Sequence, residues 1–279
     1  MKSNPILRAA LPVLAAAGTV VWLVAPAHAK REQKAPFMDR NYAHRGLHKK
    51  DKSVPENSLA AFRRAVKAGY GVELDVHITA DDQLVVFHDN TLERMCAGAP
   101  EGRIESFTVE ELKALRLAGT DEQIPTLAEA LQVLGGLVPL ILEVKPGPRN
   151  QLLCILTAKA LASYTGPVCI ESFDPRILRW FKKNAPQYLR GQLSQPPKEY
   201  KKEATLAEAF LAGNLLTNFL SRPHFIAYKI GPKPRTVKLC ESMGAMKAGW
   251  TSRQWRHEKD FDMVIFEHYR PGVWFKAEV

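Results

Sequence analysis

The chain has 279 residues, of which 46% are hydrophobic and 24% charged, a balance that excludes a disordered or fibrous protein. Its formal net charge is +10, but the lysines at 49–50, 182–183 and 198–202 are scattered and lack interleaved aromatics; no nucleic-acid partner is expected, and anionic headgroups or phosphorylated substrates suit the charge better. The four cysteines show neither CxxC nor zinc-like histidine spacing, which argues against a thiol metal centre and gives no disulfide framework.

The first element is an apolar run at 9–26, preceded by Lys2 and Arg8 and followed by Ala27-His28-Ala29. Its length and the basic residues at both ends predict an N-terminal membrane anchor. Cleavage at the small-residue site would instead make it a secretory signal peptide and the protein secreted. Residues 1–35 are therefore set apart as a targeting segment and linker, and 36–279 as a single domain.

That domain alternates strand and helix patterns. A short strand at 41–44 precedes a helix at 57–69, with Asn57 or Ser58 at its cap and Gly69 at its end. The β-branched runs 71–78 and 83–87 are separated by an Asp81-Asp82 turn, and a polar stretch leads to helices at 109–117 and 126–134, the latter with Thr126 and Glu129 in capping-box spacing. Then follow a strand at 138–144, a helix at 151–163, a strand at 167–171 and a helix at 175–184. Four more short strands, at 190–193, 225–228, 245–250 and 263–266, are interleaved with helices at 205–211 and 233–243. About eight β-then-α units predict an α/β fold closed into a (β/α)8 TIM-type barrel. No GxGxxG or Walker loop supports a nucleotide-binding sheet.

In such a barrel the chemistry sits where strands end. His44 and Arg45 close the first apolar run, and His88-Asp89 closes the third. Glu143 and Lys145 close the fourth, Glu171 the fifth and Trp250 the seventh. Glu73 and Asp75, at i and i+2 within a strand, project from one face. With Glu143 they form three carboxylates among apolar neighbours, a cost that a hard divalent cation relieves, Ca²⁺ or Mg²⁺. Lys145 can instead pair with one of them as a structural ion pair. Arg45 and Lys145 suit phosphate, and two imidazoles can serve as base and acid in displacement at a phosphodiester. Asp89 orients or caps, and His77 is given no role.

His44-Arg45-Gly46, Pro55-Glu56-Asn57-Ser58, Glu73-Leu74-Asp75-Val76, His88-Asp89, Glu143-Val144-Lys145 and Glu171-Ser172-Phe173 together resemble, in order, the motifs of the glycerophosphodiester phosphodiesterase family. The resemblance covers about residues 41–270. It implies a distorted (β/α)8 barrel that hydrolyses small or lipid-derived glycerophosphodiesters to sn-glycerol 3-phosphate and an alcohol, by attack of water or through a cyclic phosphate. It further implies His44 and His88 as the acid/base pair, Arg45 on phosphate, and Glu73, Asp75 and Glu143 on Ca²⁺ or Mg²⁺. Lys145 would contact substrate, Glu56 metal or substrate, and Glu171 and Trp250 would contact substrate at the rim of the site. Two departures, Phe266-Glu267 for a Thr-Asp pair and Trp250-Thr251-Ser252-Arg253 for Trp-Thr-x-Asn, fall on the substrate side, and the 95–106 segment is short where relatives carry a larger insertion. These changes leave room for a lysophospholipase D or phosphatidylinositol-type phospholipase activity. A non-catalytic module that captures anionic headgroups is the reading from another class.

Overall fold

Alternation along the strands decides which side chains enter the barrel and which face the helices. The computed structural model describes residues 5–200 and 204–275, the first ten of these as backbone only, so Lys201 and Lys202 of the basic cluster lie outside the described residues. The strands are β1 (Arg40–Ala43), β2 (Gly71–Ile78), β3 (Leu84–Val86), β4 (Leu140–Val144), β5 (Val168–Ser172), β6 (Leu189–Ser194), β7 (Phe225–Lys229), β8 (Met246–Ser252) and β9 (Met263–Phe266). Eight of them, all but β3, pair in parallel in the order β1-β2-β4-β5-β6-β7-β8-β9 and close through β9 to β1. The barrel expected from the sequence is present.

One strand assignment changes. β3 does not enter the barrel; it runs antiparallel to the overhanging end of β2, with Val86 opposite Val76 and Leu84 opposite Ile78. The turn at Asp81-Asp82 is a hairpin turn, and His88 reaches the site on the returning arm instead of at the end of a barrel strand. The apolar run at 83–87 resembles a buried strand because Val85 and Phe87 pack beneath their own loop, against Leu92, Ile104 and Leu112, while Val86 joins the main core.

The helices around the barrel are α3 (Leu59–Ala68), α4 (Val109–Ala114), α5 (Leu127–Leu134), α6 (Asn150–Leu161), α7 (Pro175–Asn184), α8 (Leu206–Gly213), α9 (Asn218–Ser221) and α10 (Arg235–Ser242), preceded by α1 (Pro5–Val24) and α2 (Arg31–Lys34). Ser58 caps α3 by accepting from the Ala61 N–H, and Gly69 ends it in the left-handed region. Thr126 and Glu129 form the expected capping box of α5. After β8 only a 3₁₀ segment follows, Trp255–Asp260.

Leu74, Leu142 and Ile170 point outward into the layer between barrel and helices. Tyr42, Ile141, Cys169, Phe225 and Met263 fill the barrel, and Phe37 closes its lower end. All four cysteines are free and buried.

The N-terminal segment differs from its expected form. α1 is helical, but among the described residues no helix is long and apolar enough to cross a membrane. Val24 at its end is fully buried against Leu215, Ile226, Val237 and Cys240. Arg222 donates from Nη1 to the Trp22 and Ala25 carbonyls at 2.6 and 2.9 Å, and Trp22 stacks on Phe219. These residues, set apart from the fold by their sequence pattern, are packed on it.

Candidate active site

The register of β2, β4 and β5 builds the acidic floor of the site. Asp75 lies opposite Glu143, and Glu143 opposite Glu171; inward alternation adds Glu73 one layer below. All four carboxylates are buried. Glu73, Asp75 and Glu143 each place an oxygen within 4.8 Å of the others, a group able to hold a metal ion.

Two cations enter this layer. Lys145 Nζ lies 2.9 Å from Glu143 and 3.2 Å from Asp75, and Arg45 Nε lies 3.7 Å from Asp75. The structure thus realises the ion pair considered for Lys145, with two carboxylates instead of one. Four carboxylates against two cations still leave an excess of negative charge. Its effect is visible in the proton affinities. Burial and the neighbouring Asp75 and Glu143 push Glu73 well above the usual carboxylate range. Burial, partly offset by Lys145, lifts Glu143 to about 7. Burial also disfavours the Asp75 charge, yet Lys145, His88, Arg45 and the Asn57 hydrogen bond together hold its carboxyl well below the ordinary value. Glu171 is pushed well up by burial and by Glu73, and one of its oxygens has no hydrogen-bond partner. Excess buried carboxylate with an unpartnered oxygen fits a hard divalent cation on Glu73, Asp75 and Glu143. Glu171, expected at the rim, is instead 1% exposed and part of this floor.

The His44-Arg45-Gly46 turn is made by backbone geometry. Arg45 and Gly46 both take positive φ, 53° and 76°. A Cβ at Gly46 would meet Ala61 and Phe62 of α3 at 2.9 Å, so glycine alone fits there. The His44 N–H donates to the Phe266 carbonyl at 3.0 Å and the Arg45 N–H to Glu73 at 2.8 Å, which fixes both side chains over the floor.

His44 Nδ1 lies 3.0 Å from Glu267 Oε2, and Arg253 donates to the other oxygen of Glu267 from Nε at 2.8 Å. Because a carboxylate only accepts, Nδ1 carries the proton and Nε2 presents its lone pair to the cavity, 4.0 Å from Glu73. Burial and the Arg45 charge push His44 down to about 4, against the upward pull of Glu267; the ring is neutral at pH 7. His88 is built alike: Nδ1 lies 2.6 Å from Asp89, and Arg94 Nε donates to Asp89 at 2.5 Å. Burial lowers His88 too, opposed by Asp75 and Asp89. Arg94 continues to Glu56 at 2.6 Å, and Glu56 accepts from Arg45 at 2.6 Å. Burial works against the Glu56 charge, but the two arginines hold it down at about 2. Glu56 therefore braces Arg45, and its carboxylate is already engaged by the two arginines.

His44, Arg45, Glu73, His88, Glu143 and Glu171 line one cavity of about 100 Å³ with Phe173 and Trp250. Trp250 lines the cavity edge-on to Phe173, and its Nε1–H is used on the Ala227 carbonyl at 2.9 Å. Trp250 thus offers the cavity an apolar face. Lys145 is linked to the cavity through Glu143.

Glu267 and Arg253, the departures assigned to the substrate side, stand behind His44. His77, given no role, is fully buried with Nδ1 3.5 Å from Glu105 and Nε2 3.4 Å from the His88 carbonyl. The signal that could have found Glu267 is its position immediately after an apolar strand, the same signal that selects His44.

Residues 44–269 match the glycerophosphoryl diester phosphodiesterase family. The chain is 40% identical over 171 residues to a glycerophosphodiester phosphodiesterase of Caldanaerobacter subterraneus, a match covering 55% of this chain and 65% of that relative's length. Its fold is similar to that of a phosphodiesterase from Oleispira antarctica solved with the product sn-glycerol-3-phosphate, with a TM-score of 0.65 and 24% identity over 82% of this chain and 93% of the other. A glycerophosphodiester phosphodiesterase structure from Parabacteroides distasonis gives a TM-score of 0.61 and 25% identity, covering 83% of this chain and 94% of the other. With the matched segment running from His44, at the end of β1, to the loop after β9, the chain belongs to the glycerophosphoryl diester phosphodiesterase family.

Proposed function

We propose that the protein is a metal-dependent phosphodiesterase that hydrolyses glycerophosphodiesters to sn-glycerol 3-phosphate and an alcohol. The observation that carries this reading is a pair of neutral-leaning histidines, each held at Nδ1 by its own carboxylate, facing one cavity floored by buried acids. Arg45 binds a non-bridging phosphoryl oxygen. One histidine, neutral, accepts the proton of the attacking hydroxyl at Nε2, and the other, starting as the imidazolium, donates its Nε2 proton to the leaving oxygen, so one P–O bond forms, one breaks, and the two rings end with their protonation states exchanged. Glu267 and Asp89 keep the rings in the tautomer this needs and stabilise the imidazolium. A Ca²⁺ or Mg²⁺ ion on Glu73, Asp75 and Glu143 supplies Lewis acidity to the phosphoryl group when bound. The Trp250 and Phe173 rings exclude water from one wall. Residues 36–279 form the catalytic unit in this reading, and residues 1–35 target it to a membrane or for export, as their basic, apolar and small-residue pattern suggests.

The test is release of glycerol 3-phosphate from glycerophosphocholine and related diesters by the full chain. Chelation with EDTA is expected to abolish release and added Ca²⁺ or Mg²⁺ to restore it; full activity in EDTA overturns the metal assignment. Glu73→Gln is expected to weaken activity in a way that excess metal partly rescues.

A further inference from the structure

Beside the catalytic cavity lies a second cavity of about 230 Å³. It is lined by His48, Lys49, Lys50, Arg64, His268 and Arg270, and by one carboxylate, Glu267. Glu267 is shared among His44, Arg253 and His268, whose Nε2 lies 3.6 Å from it, and it pairs with none of the lysines or arginines that line the pocket. Arg64 donates Nε–H to the Leu47 carbonyl at 3.1 Å. Among the described residues no ion pair is formed by Lys49, Lys50, Arg64 or Arg270, and Lys50 and Arg270 are exposed. The two imidazoles meet edge to face, centroids 5.2 Å apart. A concave surface with four cations and no free counter-charge attracts an anion, and its size suits a compact one such as a phosphoryl group.

Its position gives the pocket a use. The pair His44–Glu267 forms the partition: His44 faces the catalytic cavity, Glu267 faces the basic one, and 3.0 Å separates them. A group bound in the basic pocket therefore lies across a single hydrogen bond from the acid/base histidine.

We propose that this pocket is a second phosphoryl subsite, and, resting on the phosphodiesterase reading above, that it selects glycerophosphodiesters whose remaining portion carries a further phosphate. The same chemistry would also hold free inorganic phosphate, and two measurements separate the sources. The first is steady-state hydrolysis of glycerophosphoglycerol and of its phosphorylated analogue by the full chain and by the Lys50→Glu/Arg270→Glu variant. The wild type is expected to show a KM about tenfold lower for the phosphorylated diester. The variant is expected to lose that difference while its kcat on glycerophosphoglycerol is unchanged. The second is titration with inorganic phosphate, in which the wild type is expected to bind one equivalent more than the variant. Equal KM values together with a lost phosphate equivalent assign the pocket to free phosphate. Unchanged KM ratio and unchanged stoichiometry in the variant overturn the subsite. Failure of the wild type to hydrolyse either diester overturns the phosphodiesterase reading, and the phosphate titration still decides the subsite.

Discussion

His44 and His88 are held in the same way at first contact and differently beyond it. Each gives Nδ1–H to a carboxylate that an arginine holds from behind. Behind His44 the series ends in water, because the Arg253 side chain is 71% exposed. Behind His88 it continues from Arg94 to Glu56 and on to Arg45, which lines the same cavity. One histidine has a support that ends at the surface, and the other is joined by a continuous series of ionic contacts to Arg45 of the same cavity. A series anchored at both ends in the cavity transmits a change at any member to the rest; one that ends at the surface lets its outermost member go at little cost.

The largest expected effect is from removing either ring. His44→Ala and His88→Ala are each expected to lower kcat by ~10²–10⁴-fold, the range for a general acid or base, with thermal stability retained. Loss at only one of them would break the parallel. Next come the carboxylates. Glu267→Gln and Asp89→Asn are expected to lower kcat by about 10–100-fold, as outer partners of a working histidine do. Each removes an interaction that raises the pKa of its ring, so the affected histidine titrates lower. One variant is expected to move the acidic limb of the pH–rate profile downward and the other the basic limb, and the limb each moves identifies base and acid. Only Asp89→Asn should also raise KM, because only that carboxylate communicates with Arg45. The smallest effects lie at the arginines. Arg94→Ala is expected to lower kcat/KM by about tenfold, while Arg253→Ala should cost about fivefold at most and vanish in high salt, as an exposed pair does. Equal salt-insensitive losses at both would abolish the distinction between a support that ends at the surface and one that ends on Arg45.

The sequence shows one of these supports and hides the other. Asp89 adjoins His88, so its role is local, and Glu73 and Asp75 declare themselves by the two-residue period of a strand. Glu267 and Arg253 reach His44 only because β9 closes the barrel against β1, pairing Ala43 with Phe266; no spacing along the chain encodes that contact. Glu171 was placed at the rim for a related reason. Its burial follows from the cross-strand register with Glu143, whereas a single glutamate at a strand end is ordinarily wet. Helices with an explicit cap, such as α5 and α7, were legible nearly to the residue. α4 stops at Ala114, short of the expected 117, because the chain turns extended at Leu115 and enters a 3₁₀ turn. The hairpin position of β3 was hidden since an apolar run beneath a loop has the composition of one inside a barrel.

The burial of Val24 bears on processing. Were the chain cut after Ala29, the peptide on the far side of the cut would still cover Leu215, Ile226 and Val237, but as a separate molecule that can dissociate. Its departure would bare apolar surface that Val24 alone covers at a cost of about 1.5–3 kcal/mol. Maturation would then convert an intramolecular lid over the lower flank into a detachable one, and the cut enzyme would acquire a sticky patch on the side opposite its catalytic mouth.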